Sequence, residues 1–206
     1  VTVLIPAHDE ALALPVTLPS LLRQSRVPDR VIVVADNCTD DTVEIARSFG
    51  LEAFETVGNP KRKAGALNQV LAHLLPTLGA DDVVMVMDAD TTLHAGFVEA
   101  GVEAFEADRT LMAVGGLFQG EPGHGLLGQF QRNEYTRYSR MVMRRHGRVF
   151  VLTGTSSMFR AIALSAVSDA RGRAIPGVRG DVYDTVALTE DNELTIALKS
   201  LGALMV

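Results

Sequence analysis

Residues 83–93 read VVMVMDADTTL, five apolar residues that run straight into two carboxylates separated only by Ala89. An apolar run without alternation is the pattern of a strand buried on both faces, and so of a parallel sheet covered by helices. Along an extended chain, residues two apart point the same way. Asp88 and Asp90 would then stand about 6 to 7 Å apart at their Cα atoms and repel each other unless a cation lies close by. A hard divalent ion, Mg²⁺ or Mn²⁺, resolves the conflict, because such an ion takes one or two protein carboxylates and completes its shell with phosphate oxygens and water.

Outward from this stretch, short apolar runs alternate with helical periodicities. VTVLIP (1–6), RVIVVAD (30–36), LEAFETV (51–57), DVVMVMD (82–88) and LMAVGG (111–116) read as strands. Between them lie helices: one carrying Leu18, Leu21 and Leu22, with Pro15 and Pro19 near its start, and others over about 40–49, 63–75 and 96–107. A further helix is expected over 126–145, where Leu127, Phe130, Tyr138, Met141 and Val142 share a face. Strand–helix alternation implies an α/β fold with a mostly parallel sheet. With no internal repeat or Gly/Ser/Pro-rich linker, residues 1–206 read as one domain.

The 206 residues suffice to bury about 70% of the unfolded surface without a metal or disulfide staple. A formal charge of -6 argues against a nucleic-acid partner. The single cysteine, Cys38, excludes a disulfide framework and a multi-cysteine zinc site. No apolar run approaches the length of a membrane span. Both ends read as cut from a longer polypeptide, so flanking membrane segments are an open expectation.

In open parallel sheets ligands bind beyond the carboxyl ends of the strands. Here those tips read PAHDE (6–10), ADNCTDDT (35–42) and DADTT (88–92), with carboxylates at each. Helix capping is the plainer account of Asp40 in particular, since Asp, Asn and Thr accept hydrogen bonds from free N–H groups. His8 has no histidine at ligand spacing and reads as a packing or hydrogen-bonding residue rather than a metal ligand. The repulsion between Asp88 and Asp90 is harder to explain by structure alone.

Together with KRKAGALN (61–68), VLTGTSSMFR (151–160) and LTEDNELTIAL (188–198), these motifs resemble, in order and spacing, the family 2 glycosyltransferases. The region from Gln129 to Arg160 most resembles their polysaccharide-synthase branch, which makes poly-N-acetylglucosamine, cellulose and hyaluronan. The resemblance implies a GT-A fold, a Rossmann-like sheet with helices on both faces. It also implies transfer of a sugar, with inversion, from a nucleotide diphosphate donor (usually a UDP-sugar) to the hydroxyl of a carbohydrate or lipid-linked acceptor. By the same resemblance Asp36 meets the base; Pro6, Asp9 and Glu10 surround the uridine; and Lys63 lies near base and phosphates. Asp88, Ala89 and Asp90 form the donor and metal motif, with Asp90 the more direct ligand. Thr153, Gly154 and Thr155 face the donor sugar, and Asp191 is the catalytic base, with Glu190 beside it. It further implies a site at the cytosolic face of a membrane. The family's usual N-E reads Asp9-Glu10 here, and its Q-x-x-R-W motif does not occur.

Other readings stay open. DADTT and GDVYD (180–184) also resemble motifs of haloacid-dehalogenase-type phosphatases, although three strands precede Asp88 where that fold begins with its nucleophile. A nucleotidyltransferase would need a glycine-rich basic loop where this chain has PAHDEALALP. A noncatalytic UDP-sugar-binding module is a third alternative. Thr189, Glu190, Asp191 and Glu193 also suit a helix start. The basic cluster Arg140, Arg144, Arg145, His146 and Arg148 suits a helix C-terminus or a membrane surface.

Overall fold

Strand β4 (Val83–Met87) is buried along its whole length and has β1 (Thr2–Ala7) parallel on one side and β6 (Ser156–Arg160) antiparallel on the other. The computed structural model describes residues 1–117 and 151–206, with Gly125, Gln129, Phe130, Asn133, Arg137 and Arg140 between them. The helix expected over 126–145 and most of its basic cluster therefore lie outside the described residues. Among these residues the remaining strands are β2 (Arg30–Ala35), β3 (Glu52–Glu55), β5 (Leu111–Gly115) and β7 (Leu204–Met205). The helices are α1 (Leu14–Leu22), α2 (Thr42–Ser48), α3 (Arg62–Leu74), α4 (Phe97–Ala107), α5 (Ala161–Ala170) and α6 (Glu190–Ser200). The sheet order is β3-β2-β1-β4-β6-β5-β7. Its β3-β2-β1-β4 half is parallel, and β6 runs against both of its neighbours.

The period-2 pattern of the strands divides the core into two layers. Leu4, Ile32, Val34, Val84 and Val86 face α3, α5 and α6, whereas Val3, Ile5, Val33, Met85 and Met87 face α1, α2 and α4. Helices on both faces are why the central strands read as continuous apolar runs. Helix α1 accommodates Pro15 in its first turn, where no donor is needed. It also holds Pro19 in its interior, which loses one backbone bond, because Leu14, Leu18 and Leu21 are sealed in the core.

The chain leaves β1 for β2 and β3 on one side, then returns to β4 on the other. The switch point of the sheet is thus the crevice between the carboxyl tips of β1 and β4, the place where open α/β sheets bind ligands. The reversed direction of β6 puts its first residue beside the last of β4: Ser156 pairs with Met87, and the Asp88 N–H donates to the Thr155 carbonyl at 3.3 Å. The Thr153–Thr155 loop therefore arrives at the same end of the sheet as the strand-tip carboxylates.

β6 tolerates serines and a buried arginine because their polar groups are satisfied. Ser157 donates to the Thr153 carbonyl, and Arg160 donates to the carbonyls of Leu111 and Phe105 and to Asp81. A second buried polar tie joins α3 to the segment before α6. Asn68 donates to the Tyr183 carbonyl at 2.8 Å and accepts from the Val182 and Tyr183 N–H groups at 3.0 and 2.8 Å. Replacing Asn68 with Leu keeps the volume but strands three buried backbone groups, each worth about 1 to 3 kcal/mol. The expected result is a loss of about 3 kcal/mol or more, read from urea unfolding at constant m-value.

Candidate active site

The β2 tip is organised around one carboxylate oxygen. Asp36, 6% exposed, receives hydrogen bonds on Oδ1 from Thr56 Oγ1 (2.8 Å), Asn59 Nδ2 (2.8 Å) and Asn37 Nδ2 (3.1 Å). Its Oδ2 has no hydrogen-bond partner among the described residues. Thr56 and Asn59 escape a reading of the sequence, because the GNP turn at 58–60 looks like ordinary loop chemistry. Asn59 also receives the Lys61 N–H and donates to the Arg62 carbonyl, tying the α3 entry to Asp36.

At the β1 tip the two acids part company. Asp9, at φ 56, turns toward the β2–α2 loop and accepts from the N–H groups of Thr39 (2.6 Å) and Asp40 (3.3 Å). Those bonds hold its carboxyl below the ordinary range. Asp40 in turn accepts from Ala11 and Thr42, so it stitches this loop just ahead of α2 rather than serving as the residue at its N-cap, which is Asp41. Among the described residues Asp9, Cys38 and Asp40 bring three potential ligand atoms within 4.8 Å of one another, but the backbone bonds at Asp9 and Asp40 already account for that cluster. Glu10 instead faces the crevice. Burial raises its carboxyl above the usual value, and the charges of Asp90, Asp40 and Asp88 push it further. Pro6 lies within β1, in register with Val34, and helps form the floor of the crevice rather than its rim.

At the β4 tip the chain does not continue extended, as alternation alone implies. The Thr91 N–H donates to the Asp88 carbonyl at 3.2 Å, so residues 88–91 form a turn. Ala89 is buried, with its carbonyl bound to Thr17 Oγ1 at 2.6 Å. Asp88 is half-buried and Asp90 is exposed. The turn separates their roles: Asp90 stays open to solvent, while Asp88 reaches inward to Lys63.

Lys63, the second residue of α3, joins the two ends of the chain. Its Nζ lies 2.6 Å from Asp88 Oδ1 and 3.0 Å from Glu190 Oε1. Burial works against the ammonium, but the two carboxylates outweigh it and hold the charge in place. Burial lifts the Asp88 carboxyl above its usual range, against the pull of Lys63 and with help from Asp90 and Glu190. Asp191, next to Glu190 at the start of α6, accepts from the Gly154 N–H on Oδ2 at 3.1 Å and from the Asn192 N–H on Oδ1. Thr153 and Thr155 share a hydroxyl hydrogen bond in the same loop. A Cβ at Gly154 would lie 2.6 Å from Lys63 Nζ, so a side chain there requires the ammonium to shift.

Lys63, Asp88, the 153–155 loop and the start of α6 thus meet at one end of the sheet. A family model described as glycosyl transferase family 2 matches residues 2–167. The chain belongs to that family. Two curated relatives align over nearly its whole length: a probable glycosyltransferase, YdaM, of Bacillus subtilis (strain 168), 30% identical over 98% of this chain and 47% of the relative, and a poly-beta-1,6-N-acetyl-D-glucosamine synthase of Staphylococcus aureus (strain COL), 25% identical over 93% of this chain and 43% of the relative. The chain spans less than half the length of both. Solved structures share the fold. A mannosyltransferase, PcManGT, from Pyrobaculum calidifontis in complex with GDP-Man and Mn²⁺ matches at TM-score 0.70 and 20% identity, covering 100% of this chain and 53% of that one. TarS of S. aureus (residues 1-349) in complex with UDP-GlcNAc matches at 0.68 and 16%, covering 100% and 55%. Membership of this family displaces the phosphatase and nucleotidyltransferase alternatives.

Glu10 lies near enough to Asp90 and Asp88 for their charges to push up its carboxyl, a repulsion that a hard divalent cation would remove, although the group with three ligand atoms within 4.8 Å of one another among the described residues is Asp9, Cys38 and Asp40. The same repulsion predicts a stability effect of defined sign. A carboxyl raised in the folded state disfavours folding at pH values above its folded pKa, and that penalty fades as pH falls through it. Glu10→Gln should therefore raise the Tm near pH 7.5, and its advantage over the parent should shrink toward pH 5. Thermal unfolding of both proteins across this range, in metal-free buffer, provides the check.

Proposed function

We propose that this family 2 domain is an inverting glycosyltransferase that takes a UDP-sugar donor with Mg²⁺ or Mn²⁺ and uses Asp191 as its general base. The observation that carries the reading is the junction of Lys63 with Asp88 and Glu190, within one loop of Asp191, at the β1/β4 switch point. The Asp36 network suits uracil: its three donors occupy Oδ1 and leave Oδ2 to accept from the base N–H. One neighbour of this fold holds UDP-GlcNAc and another GDP-Man with Mn²⁺, so base choice rests on the residues around Asp36.

Asp88, Asp90 and Glu10 would hold the ion. When bound, it would neutralise charge that develops on the departing diphosphate. Lys63 adds a fixed ammonium beside Asp88, positioned to meet the same phosphates. On the opposite side, the acceptor hydroxyl attacks the anomeric carbon as a carboxylate takes its proton. Glu190 is engaged by Lys63, whereas Asp191 accepts only N–H bonds, from Gly154 and Asn192, and keeps lone pairs for that proton. That difference between the two neighbouring acids supports Asp191 as the base. We place the domain, as part of a longer polypeptide, at the cytosolic face of a membrane, acting on a carbohydrate or lipid-linked acceptor. Among the described residues no helix is long and apolar enough to cross a membrane.

Two measurements test this reading. Calorimetric titration of UDP should give an affinity at least about 10-fold tighter with Mn²⁺ than with EDTA, because the diphosphate and the carboxylates share the ion's shell; equal affinities would remove the cation from the site. Asp191→Asn retains size and hydrogen bonding to Gly154 but cannot take a proton. It should lower kcat by about 100-fold or more, with UDP affinity and thermal unfolding close to the parent. Transfer within a few-fold of the parent would exclude Asp191 as the base.

A further inference from the structure

Tyr183 lies in the GDVYD stretch that the proposed function does not use. Its side chain is 3% exposed, yet its hydroxyl has no hydrogen-bond partner among the described residues. No described side-chain nitrogen or oxygen is both sealed from water and unpartnered, so the hydroxyl is a part of this side chain that water can still reach. Tyr183 lines a narrow cavity of about 10 Å³ beneath the site. Lys63, Gly154, Glu190 and Asp191 line it, with Val86 and Phe159 as its apolar wall. That volume is close to the minimum for a single ordered water; the wall is mostly apolar, and the polar groups at hand for such a water come from Lys63, Glu190, Asp191 and Tyr183.

A phenylalanine would fill the same core volume without placing a hydroxyl at a site that costs stability when unpartnered. What the tyrosine adds is a donor. Burial and the charges of Glu190, Asp191 and Asp88 push its phenol above the ordinary tyrosine value, so the proton stays on oxygen throughout the working pH range. The ring is also held in place. Asn68 binds the Tyr183 backbone on both its N–H and carbonyl. Arg171, fully buried, donates to the Val182 carbonyl and forms a two-pronged pair with Glu193, one turn into α6 from Glu190. Phenol, α3 and the acidic start of α6 are thereby fixed relative to one another. The charged groups around the cavity are Lys63 from α3, Asp88 from the β4 tip, and Glu190 and Asp191 from α6.

We infer that Tyr183 is a positioning residue of the acid–base site, donating through one water in this cavity to the carboxylate of Asp191 and so holding it ionised and oriented toward the acceptor hydroxyl. The inference rests on the transferase reading of that site.

The test is Tyr183→Phe in the full-length protein, with UDP-sugar transfer, donor KM, thermal unfolding and the pH dependence of kcat measured on the same preparations. The expected result is a Tm equal to or above the parent, a donor KM within about 2-fold, and a kcat lowered by about 10-fold, the scale of a lost hydrogen bond to a charged group. A donor stabilises the ionised carboxylate, so its removal should also move the acid limb of kcat to higher pH, by about half a unit or more. An unchanged kcat, or a lowered kcat with an unmoved acid limb, would overturn the inference while leaving the transferase reading intact. So would a matching loss of Tm and donor affinity, which marks a structural role. Absence of transfer by the parent with every nucleotide sugar would sink the transferase reading, and the role of Tyr183 with it.

Discussion

One ammonium group holds together parts of the chain that are remote in sequence. Lys63 enters from the first turn of α3 and meets Asp88 from the β4 tip and Glu190 from the start of α6. Removing it would leave two half-buried carboxylates facing each other with Asp90 and Asp191 nearby, the uncompensated arrangement that low-dielectric surroundings penalise most. The sheet makes the meeting possible, because β1, β2 and β4 end on one side and β6 begins there. The acids on the outer side of the crevice, Glu10 and Asp90, have no such internal partner among the described residues.

The parallel half of the fold is legible because its strands are buried on both faces. VVMVM and VIVV carry no ambiguity once covered by helices, and the β1, β2 and β4 tips stand out by their carboxylates. β6 does not read as a strand, since Ser156, Ser157 and Arg160 look polar until Arg160 is seen donating to Leu111, Phe105 and Asp81. α5 and the two-residue β7 escape the pattern as well: AIALSAVSDA has apolar residues on several sides, and Leu204–Met205 is too short to show a period. The motif residues Lys63, Asp88, Gly154, Glu190 and Asp191 do meet, but spacing cannot show which acid Lys63 engages. Nor does it reveal the turn that follows Asp88, because alternation describes extended chain and the backbone bond from Thr91 ends it.

Two kinds of carboxylate occur at these strand tips. Asp9 and Asp40 commit their oxygens to backbone N–H groups and fasten the β1 and β2 loops together, while Glu10 and Asp88 carry raised carboxyls in the crevice. The fastened loops are also where the backbone is least relaxed. Among the described residues the non-glycine positions at positive φ are Asp9, Asn37 and Arg62, in the loops around the β1 and β2 tips and at the start of α3, and such conformations persist only where surrounding bonds over-determine them. Hydrogen bonds here hold a shape rather than deepen the core.

The close approach of Gly154 to Lys63 also constrains how such a site can diverge. A side chain at 154 requires the ammonium to shift from its place between Asp88 and Glu190, whereas shortening Lys63 leaves those acids unmatched. The two positions are therefore coupled: a side chain at 154 is accommodated only with a shift of Lys63 relative to Asp88 and Glu190, so what a change at either position costs depends on the residue at the other.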